Sequence, residues 1–264
     1  MTDMSVAKID SQYIMLIGTA GTRKSTQALS YPKPQFWLSF DQKMNSLLIP
    51  MKKWGISPKE IHYEDYKNWN DPRAQLEKLQ VNCPYKTIII DSTTTAANAI
   101  LRQAKQMKTG ITRQSGAAAG KLIAGIAVNE MEDYNAEAAA LLELVALTKD
   151  ICKYHHVNII LISHLIQAEY KSAGNTVNIV RTIVTAGKRI APMIPAYCEE
   201  VYHSFIKKGF DADSGGDYAI LTSSTNEDFA RTQLLLDKEI IVNDKPLYNT
   251  WIKPAIDKIN EGIK

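Results

Sequence analysis

The chain has 264 residues, of which 45% are hydrophobic and 22% are charged, and its formal net charge is +3. This length suits one large α/β domain with a full hydrophobic core, and the composition argues against a disordered chain. The small positive charge permits a nucleic-acid partner without requiring one.

Cysteines and apolar runs indicate the compartment. Cys83, Cys152 and Cys198 are widely spaced and form no Cys-x-x-Cys pair, which argues against a disulfide framework or a zinc site. Residues 1–10 lack the apolar core of a signal peptide, and the apolar runs are far shorter than the roughly 20 residues that a membrane helix needs. We therefore expect a cytoplasmic protein without a membrane partner.

Short apolar runs alternate with longer helical patterns. Strands are predicted at Tyr13–Ile17, Gln35–Phe40, Ile61–Glu64 (near a sheet edge), Thr87–Ile90 and Val157–Ser163. Helices are predicted from about Lys24 to before Tyr31, from an N-cap at Asp71 to before Pro84, and over about Thr94–Lys108 and Asn135–Tyr154. This alternation is typical of βαβ units and predicts an α/β fold with a mainly parallel central sheet flanked by helices.

The remaining segments suggest additions to one domain that spans residues 1–264. The glycine-containing residues 109–130 are expected to be a flexible or helical insertion, and residues 167–188 a polar loop. Strands predicted at Glu200–Ile206, Tyr218–Thr222 and Leu234–Leu236 have no helices between them, so we expect antiparallel strands here. A C-terminal helix is expected within residues 248–264.

A glycine-rich loop follows the first predicted strand and opens a helix. It reads Gly18-Thr19-Ala20-Gly21-Thr22-Arg23-Lys24-Ser25. In a P-loop of this kind, backbone N–H groups surround the β-phosphate, the lysine reaches the β- and γ-phosphates, and the serine hydroxyl ligates Mg²⁺. Thr26 is expected at the α-phosphate. The alternative is a strand-to-helix turn that binds no ligand.

The loop departs from the P-loop pattern at one position. Arg23 replaces the glycine before the lysine, where the backbone passes close to phosphate. Either Arg23 adopts the loop conformation with its side chain directed away, or the loop is altered and binds nucleotide weakly.

A second motif lies two βα units downstream. Thr87-Ile88-Ile89-Ile90-Asp91 is a buried strand that ends in a carboxylate. A Mg²⁺ ion held by Ser25 needs such a carboxylate at the carboxyl end of a neighbouring strand. Together the two motifs predict ATP and Mg²⁺ binding.

These motifs and their spacing resemble the RecA-like P-loop ATPases, above all the phage-encoded nucleotide-binding proteins related to RecA and RadA that act in recombination and single-strand annealing. The similarity extends over about residues 12–240. It is carried by the two motifs and by residues 36–41, 158–164, 187–192 and 230–232.

The resemblance implies a RecA-like ATPase core that uses ATP and Mg²⁺. It also implies self-assembly into a homo-oligomer, single-stranded DNA and a single-strand-binding protein as partners, and the host cytoplasm if a phage encodes the chain. Proteins of this kind place a catalytic glutamate after the second core strand, where this chain has Asp41-Gln42-Lys43.

The resemblance also suggests roles for further residues. Asp41 is the first candidate for the catalytic base, with Glu64 and Asp65 in reserve; the alternative for Asp41 is a helix cap or a surface residue. His164, at the end of a central strand, is a candidate γ-phosphate sensor or an ordinary hydrogen-bonded histidine. Arg231 and Lys238 are candidates for a positive group supplied to a neighbouring subunit, or plain surface residues.

In RecA-like proteins the segment after this strand meets DNA. Here it carries the candidates Lys171, Arg181, Lys188 and Arg189, whose spacing is also common in solvated loops.

Four functions are compatible with these features. The first is a recombination or annealing ATPase. A small-molecule P-loop kinase would need an arginine-rich lid, for which Lys188-Arg189 alone is a poor candidate. A nucleotide-dependent switch with little turnover fits Arg23 and the missing glutamate. A packaging or helicase motor would need a clear catalytic glutamate.

Overall fold

The apolar runs of the sequence form strands of the expected period. The computed structural model describes residues 8–115, 122–123, 126–127, 131–171, 177–185, 190–207, 216–225 and 228–262. The strands are β1 (Tyr13–Gly18), β2 (Gln35–Ser39), β3 (Ile61–Asp65), β4 (Thr87–Asp91), β5 (Leu122–Ile123), β6 (Ile126–Ala127), β7 (Asn158–Lys171), β8 (Val177–Ile183), β9 (Glu200–Lys207), β10 (Asp217–Leu221) and β11 (Glu239–Ile241).

Helices connect and cover these strands. They are α1 (Lys24–Ala28), α2 (Leu48–Lys53), α3 (Asn70–Val81), α4 (Thr93–Ser115), α5 (Met131–His155), α6 (Met193–Ala196) and α7 (Lys253–Gly262). A π-helical turn, Tyr248–Ile252, leads into α7.

The described strands form one large sheet in the order β11-β10-β9-β1-β7-β4-β2-β3, with β8 paired to β7, while β5 and β6 pair separately. From β9 to β3 all neighbours are parallel. The pairs β9–β10, β10–β11 and β7–β8 are antiparallel. The predicted fold class is therefore confirmed: a mainly parallel sheet carries antiparallel strands in its C-terminal part.

Alternate residues of the central strands enter opposite cores. Met15 and Ile88 pack on the face covered by α3, α4 and α5, whereas Ile14 and Ile89 pack on the face covered by α1 and α7. Because both faces are buried, β1 and β4 read as continuous apolar runs. Parallel alignment then brings the carboxyl ends of β1, β2, β4 and the parallel part of β7 to one edge of the sheet.

The prediction of a polar loop over residues 167–188 is wrong for the described part of that segment, most of which forms strands. β7 continues past the parallel sheet, and its residues 165–171 pair antiparallel with residues 177–183 of β8. The sequence contains signals for this hairpin, because β-branched Val177, Ile179, Val180, Thr182 and Ile183 dominate β8 and the intervening segment contains Gly174-Asn175, a turn signal.

Three smaller predictions need correction. The strand expected at Leu234–Leu236 is a tight turn in which Leu236 N–H bonds to Leu234 O at 2.6 Å, and the strand lies instead at Glu239–Ile241. Helix α3 begins at Asn70 rather than after an Asp71 cap, because the Asn68 side chain accepts the Asp71 N–H at 3.0 Å. Helix α4 continues to Ser115, into the expected insertion.

No helix within the described ranges combines the length and the apolar character that a membrane span requires.

Candidate nucleotide-binding site

The loop from β1 to α1 requires glycine at its first residue. A Cβ at Gly18 would lie 2.3 Å from the Ser204 carbonyl oxygen of β9 and 2.8 Å from Thr22 Oγ1. Gly21 has φ +81°, a left-handed conformation that glycine adopts without strain. Thr22 Oγ1 donates to Thr19 O at 2.9 Å and closes the loop on itself. The glycines of the motif thus have backbone reasons for their positions.

Arg23 takes the left-handed conformation with its side chain turned out of the loop. Its φ and ψ are 61° and 25°. Nη1 donates to Asn243 O at 2.9 Å and lies 3.2 Å from Asp244 Oδ1, while the guanidinium carbon is 3.8 Å from the Tyr218 ring centroid. The first of the two sequence-based alternatives matches this geometry: the loop keeps its shape, and Arg23 is anchored to β10 and to the segment after β11.

The conformation and contacts of Arg23 predict that two substitutions at this position differ in their effect on the stability of the fold. Arg23→Ala loses the cation–π and hydrogen-bond contacts and keeps the left-handed strain, whereas Arg23→Gly loses the contacts and relieves the strain. Because left-handed backbone costs a non-glycine residue about 1–2 kcal/mol, Arg23→Gly should unfold at higher urea than Arg23→Ala. Equal midpoints for the two variants would contradict the observed conformation.

Lys24 is the first residue of α1, and its buried side chain reaches back to the glycine loop. Its Nζ donates to Gly18 O at 2.9 Å and to Thr19 O at 2.8 Å. Burial lowers the pKa of Lys24 to about 8, although the nearby charges of Asp91 and Asp41 act in the opposite direction. A phosphate oxygen can replace the two carbonyls as acceptor, and its negative charge would favour the ammonium form.

Ser25 and Asp91 meet at the expected edge of the sheet. Ser25 Oγ donates to Asp91 Oδ2 at 2.8 Å. Burial raises the pKa of Asp91 to about 6; Asp41 raises it further, and the Ser25 hydrogen bond and Lys24 lower it. A hydroxyl and one carboxylate are a donor set that suits Mg²⁺, which keeps waters and phosphate oxygens as its other ligands.

The raised pKa of Asp91 predicts a pH-dependent Mg²⁺ affinity. Protonation must compete with the metal, so Mg²⁺-dependent ATP binding should be constant between pH about 6 and pH about 8, where Asp91 is ionised and Lys24 still carries its proton, and should weaken as pH falls below about 6. Asp91→Asn should fold, bind Mg²⁺·ATP weakly, and lose this pH dependence. Magnesium titrations between pH 5 and 8 measure it, and an unaltered pH profile in Asp91→Asn would exclude Asp91 as the ligand.

Asp41 is held beside Asp91 by the backbone. The N–H groups of Phe40 and Asp41 both donate to Asp91 O, at 2.7 and 3.0 Å. Asp41 Oδ1 accepts hydrogen bonds from Ser92 Oγ at 2.9 Å and from Thr95 Oγ1. Its position at the end of β2 therefore follows from the pairing of β2 with β4.

His164 completes this cluster. It lies opposite Gly18 in the β1–β7 register, and its Nε2 is 3.6 Å from Asp41 Oδ2. Burial alone would raise the pKa of Asp41, but the polar contacts with His164, Thr95 and Ser92 together lower it well below its ordinary range. Asp41 is thus ionised at neutral pH and oriented by three side chains.

The two reserve candidates for the catalytic base lie on β3, the outermost described strand on the β2 side of the sheet. Glu64 and Asp65 end β3, and Glu64 Oε2 accepts a hydrogen bond from Tyr66 OH at 2.5 Å.

The other predicted residues fall in three places. The backbones of Lys171 and Arg181 lie in the β7–β8 hairpin, whereas Lys188 and Arg189 lie outside the described residues. Arg231 is exposed, and its backbone bridges Val201, which pairs with Met15, three residues before Gly18. Lys238 is exposed, and its carbonyl accepts the Thr222 N–H at 2.9 Å.

Five residues around the site were not identified from the sequence. Ser92 and Thr95 orient Asp41, and Tyr218, Asn243 and Asp244 anchor Arg23. Only Ser92 carried a signal, because it directly follows Asp91. The others are brought to the loop by tertiary structure alone.

The chain belongs to the AAA domain family, whose model matches residues 10–234. The chain has a P-loop after its first strand and a carboxylate at the end of β4. Together with the family match, these features identify it as a P-loop ATPase domain. Among solved structures, the chain is similar to a KaiC-like protein from the hyperthermophilic archaeon Pyrococcus horikoshii OT3, with 14% identity, 84% of this chain and 82% of that chain covered, and a TM-score of 0.46. A search of curated proteins finds no match.

Proposed function

We propose that the protein is a slow Mg²⁺-dependent ATPase that acts on single-stranded DNA in recombination or annealing. The observation that carries the ATPase proposal is the arrangement at the start of α1, where Lys24 Nζ donates to two carbonyls of the glycine loop and Ser25 Oγ donates to Asp91 Oδ2. A bound Mg²⁺ ion would supply neutralisation of the charge that develops on the phosphates. Lys24 would bind the β- and γ-phosphates, and Ser25 and Asp91 would hold the ion.

The arrangement around Asp41 supports slow turnover. A base in the γ-phosphate region must orient a water and accept its proton, and catalysis is best when the pKa of the base is near the working pH. Asp41 is ionised, but its pKa is held low and its oxygens are engaged by Ser92, Thr95 and His164. We infer that it orients water and His164 well but removes a proton poorly.

The β7–β8 hairpin supports the DNA part of the proposal. Strand β7 pairs in parallel with β1 up to His164 and then continues into the hairpin. The proposed γ-phosphate sensor, His164, therefore lies on the same strand as the hairpin. Seven residues of β7 extend past that point, roughly 23 Å of strand. Lys171 and Arg181 lie within the paired strands, and cations there would neutralise DNA phosphates.

The DNA proposal is tested by replacing Lys171, Arg181, Lys188 and Arg189 together by alanine. Single-stranded DNA binding should weaken while ATP affinity stays unchanged, and each lost phosphate contact should flatten the salt slope by about 0.7. Labelled oligonucleotide is titrated over a salt series with ATP present. The matched control replaces four exposed cations of other elements: Lys52, Lys59, Lys78 and Lys258. A wild type that binds no oligonucleotide at low salt would contradict the proposal.

The second candidate function is a nucleotide-dependent switch with little turnover. It is favoured by the contacts of Asp41 with Ser92, Thr95 and His164, because the low pKa that they produce makes Asp41 a weak proton acceptor. The residues proposed to bind ATP take no part in these contacts. Tight ATP binding without hydrolysis, with or without DNA, would select the switch. Phosphorylation of a nucleoside acceptor would instead select a small-molecule kinase.

A further inference from the structure

A cavity of about 340 Å³ opens beside Asp41, beyond the carboxyl ends of β2 and β3. The segments that follow β2 and β3 form two of its walls and contribute Phe40, Asp41, Tyr66 and Lys67. The third wall is α4, whose Thr95, Ala99 and Arg102 follow one another at spacings of four and three and so share one helix face. The volume of the cavity lies in the usual range of about 300–1,000 Å³ for small-molecule sites.

The lining of this cavity is polarised. Phe40, Tyr66 and Ala99 are buried and form an apolar floor, with the two aromatic rings 5.8 Å apart. Lys67 and Arg102 are exposed at the rim, and neither makes an ion pair with any residue that the structure describes. Two unneutralised cations at one opening favour an anionic ligand, because they repel each other without it.

Asp41 fixes the orientation that such a ligand would take. Among the described residues that line the cavity it is the only acidic one, and it is already engaged by Ser92, Thr95 and His164. Its negative charge would repel an anionic group from the inner end, so the anion must lie at the rim. An arginine there can bind phosphate with two parallel hydrogen bonds. The inner end, with two aromatic rings and the polar Thr95, suits a flat heterocycle.

We propose that this cavity binds a nucleoside monophosphate unit, with its phosphate on Lys67 and Arg102 and its base against Phe40 and Tyr66. The unit is either a free nucleotide or one residue of a single strand. The site is separate from the phosphate loop, because no residue of that loop lines it. Asp41 lines this cavity and also belongs to the proposed ATP site. Coupling between the two sites therefore rests on the proposed function, whereas binding of the nucleotide in the cavity does not.

Calorimetric titration of the full chain with dTMP, thymidine and an oligothymidylate tests this site. The wild type should bind dTMP and not thymidine, since the phosphate supplies the charged contacts. Arg102→Ala and Lys67→Ala should each weaken dTMP binding about tenfold or more, the usual effect of losing a charge-assisted hydrogen bond. Arg102→Lys should recover part of the loss, and the matched control Lys78→Ala, an exposed lysine of α3, should bind as wild type does.

A second variant and a second background keep the outcomes separate. Ala99→Leu should fill the floor of the cavity and block dTMP binding, and thermal unfolding of the variant checks that the chain stays folded. Lys24→Ala should leave dTMP affinity unchanged; if it abolishes binding and the cavity variants do not, dTMP occupies the phosphate loop and the cavity proposal is overturned. Binding of the oligothymidylate but not of dTMP would assign the cavity to a strand residue if Arg102→Ala weakens that binding, and would overturn the proposal if Arg102→Ala leaves it unchanged, because the strand would then bind elsewhere. Binding of neither ligand at millimolar concentration overturns the proposal, and dTMP binding without ATP binding would overturn only the ATPase function.

Discussion

Lys24→Ala is expected to weaken Mg²⁺·ATP binding by about 10²-fold or more, because it removes the charged group that contacts the β- and γ-phosphates. The wild-type ammonium is nearly buried and held by two loop carbonyls, so its position requires no rearrangement of the loop. Calorimetric titration measures the loss. The matched control is Lys258→Ala, which removes an exposed lysine of α7 and should bind ATP normally.

The pKa of Lys24 gives the same prediction a pH dependence. Since burial lowers this pKa to about 8, free Lys24 loses its proton above that pH, and ATP must then bind with uptake of a proton. Wild-type ATP affinity should therefore fall as pH rises above about 8, whereas Lys24→Ala should show no such fall. Unchanged ATP affinity in a folded Lys24→Ala variant would exclude the loop as the phosphate site.

If Asp41 is the catalytic base, Asp41→Asn should lower the rate of ATP hydrolysis by about 10²–10⁴-fold and leave ATP affinity nearly intact. Asparagine keeps an oxygen that can accept the Ser92 and Thr95 hydrogen bonds, so the fold should tolerate it. Single-turnover hydrolysis separates the chemical step from binding. Asp237→Asn, at an exposed carboxylate far along the chain, is the matched control.

Two further results would revise the role of Asp41. Wild-type turnover in Asp41→Asn would move the base to Glu64, Asp65 or a neighbouring subunit. A loss in His164→Ala as large as in Asp41→Asn would indicate that Asp41 acts through His164, because the imidazole lies 3.6 Å from its carboxylate.

The central part of the fold could be predicted because its signals are local. Tyr13–Ile17 and Thr87–Ile90 are buried on both faces, and such strands read as unbroken apolar runs between turn residues. The pairing of Ser25 with Asp91 also follows from simple topology, since parallel strands bring their carboxyl ends to one edge. The position of Asp41 at that edge is predictable for the same reason, but its hydrogen-bond partners are not.

What the sequence did not predict depends on contacts between distant segments. Arg23 looked like a defect in the motif, and its explanation lies about 200 residues away, at Tyr218 and Asn243. The β7–β8 hairpin was missed because its strands are polar enough to resemble a loop, although Gly174-Asn175 was an available turn signal. The cavity beside Asp41 joins segments after two strands with one face of α4, and no local pattern marks such a meeting point.

The most direct test of this account is ATP hydrolysis by the wild-type chain, measured with and without Mg²⁺ and with and without single-stranded oligonucleotide. We expect turnover that requires Mg²⁺, is slower than the median enzyme's ~10 s⁻¹, rises when the oligonucleotide is added, and is absent in Lys24→Ala. A wild type that neither binds nor hydrolyses ATP, or that hydrolyses it equally well without Mg²⁺, would contradict the assignment of Lys24, Ser25 and Asp91 as the nucleotide site.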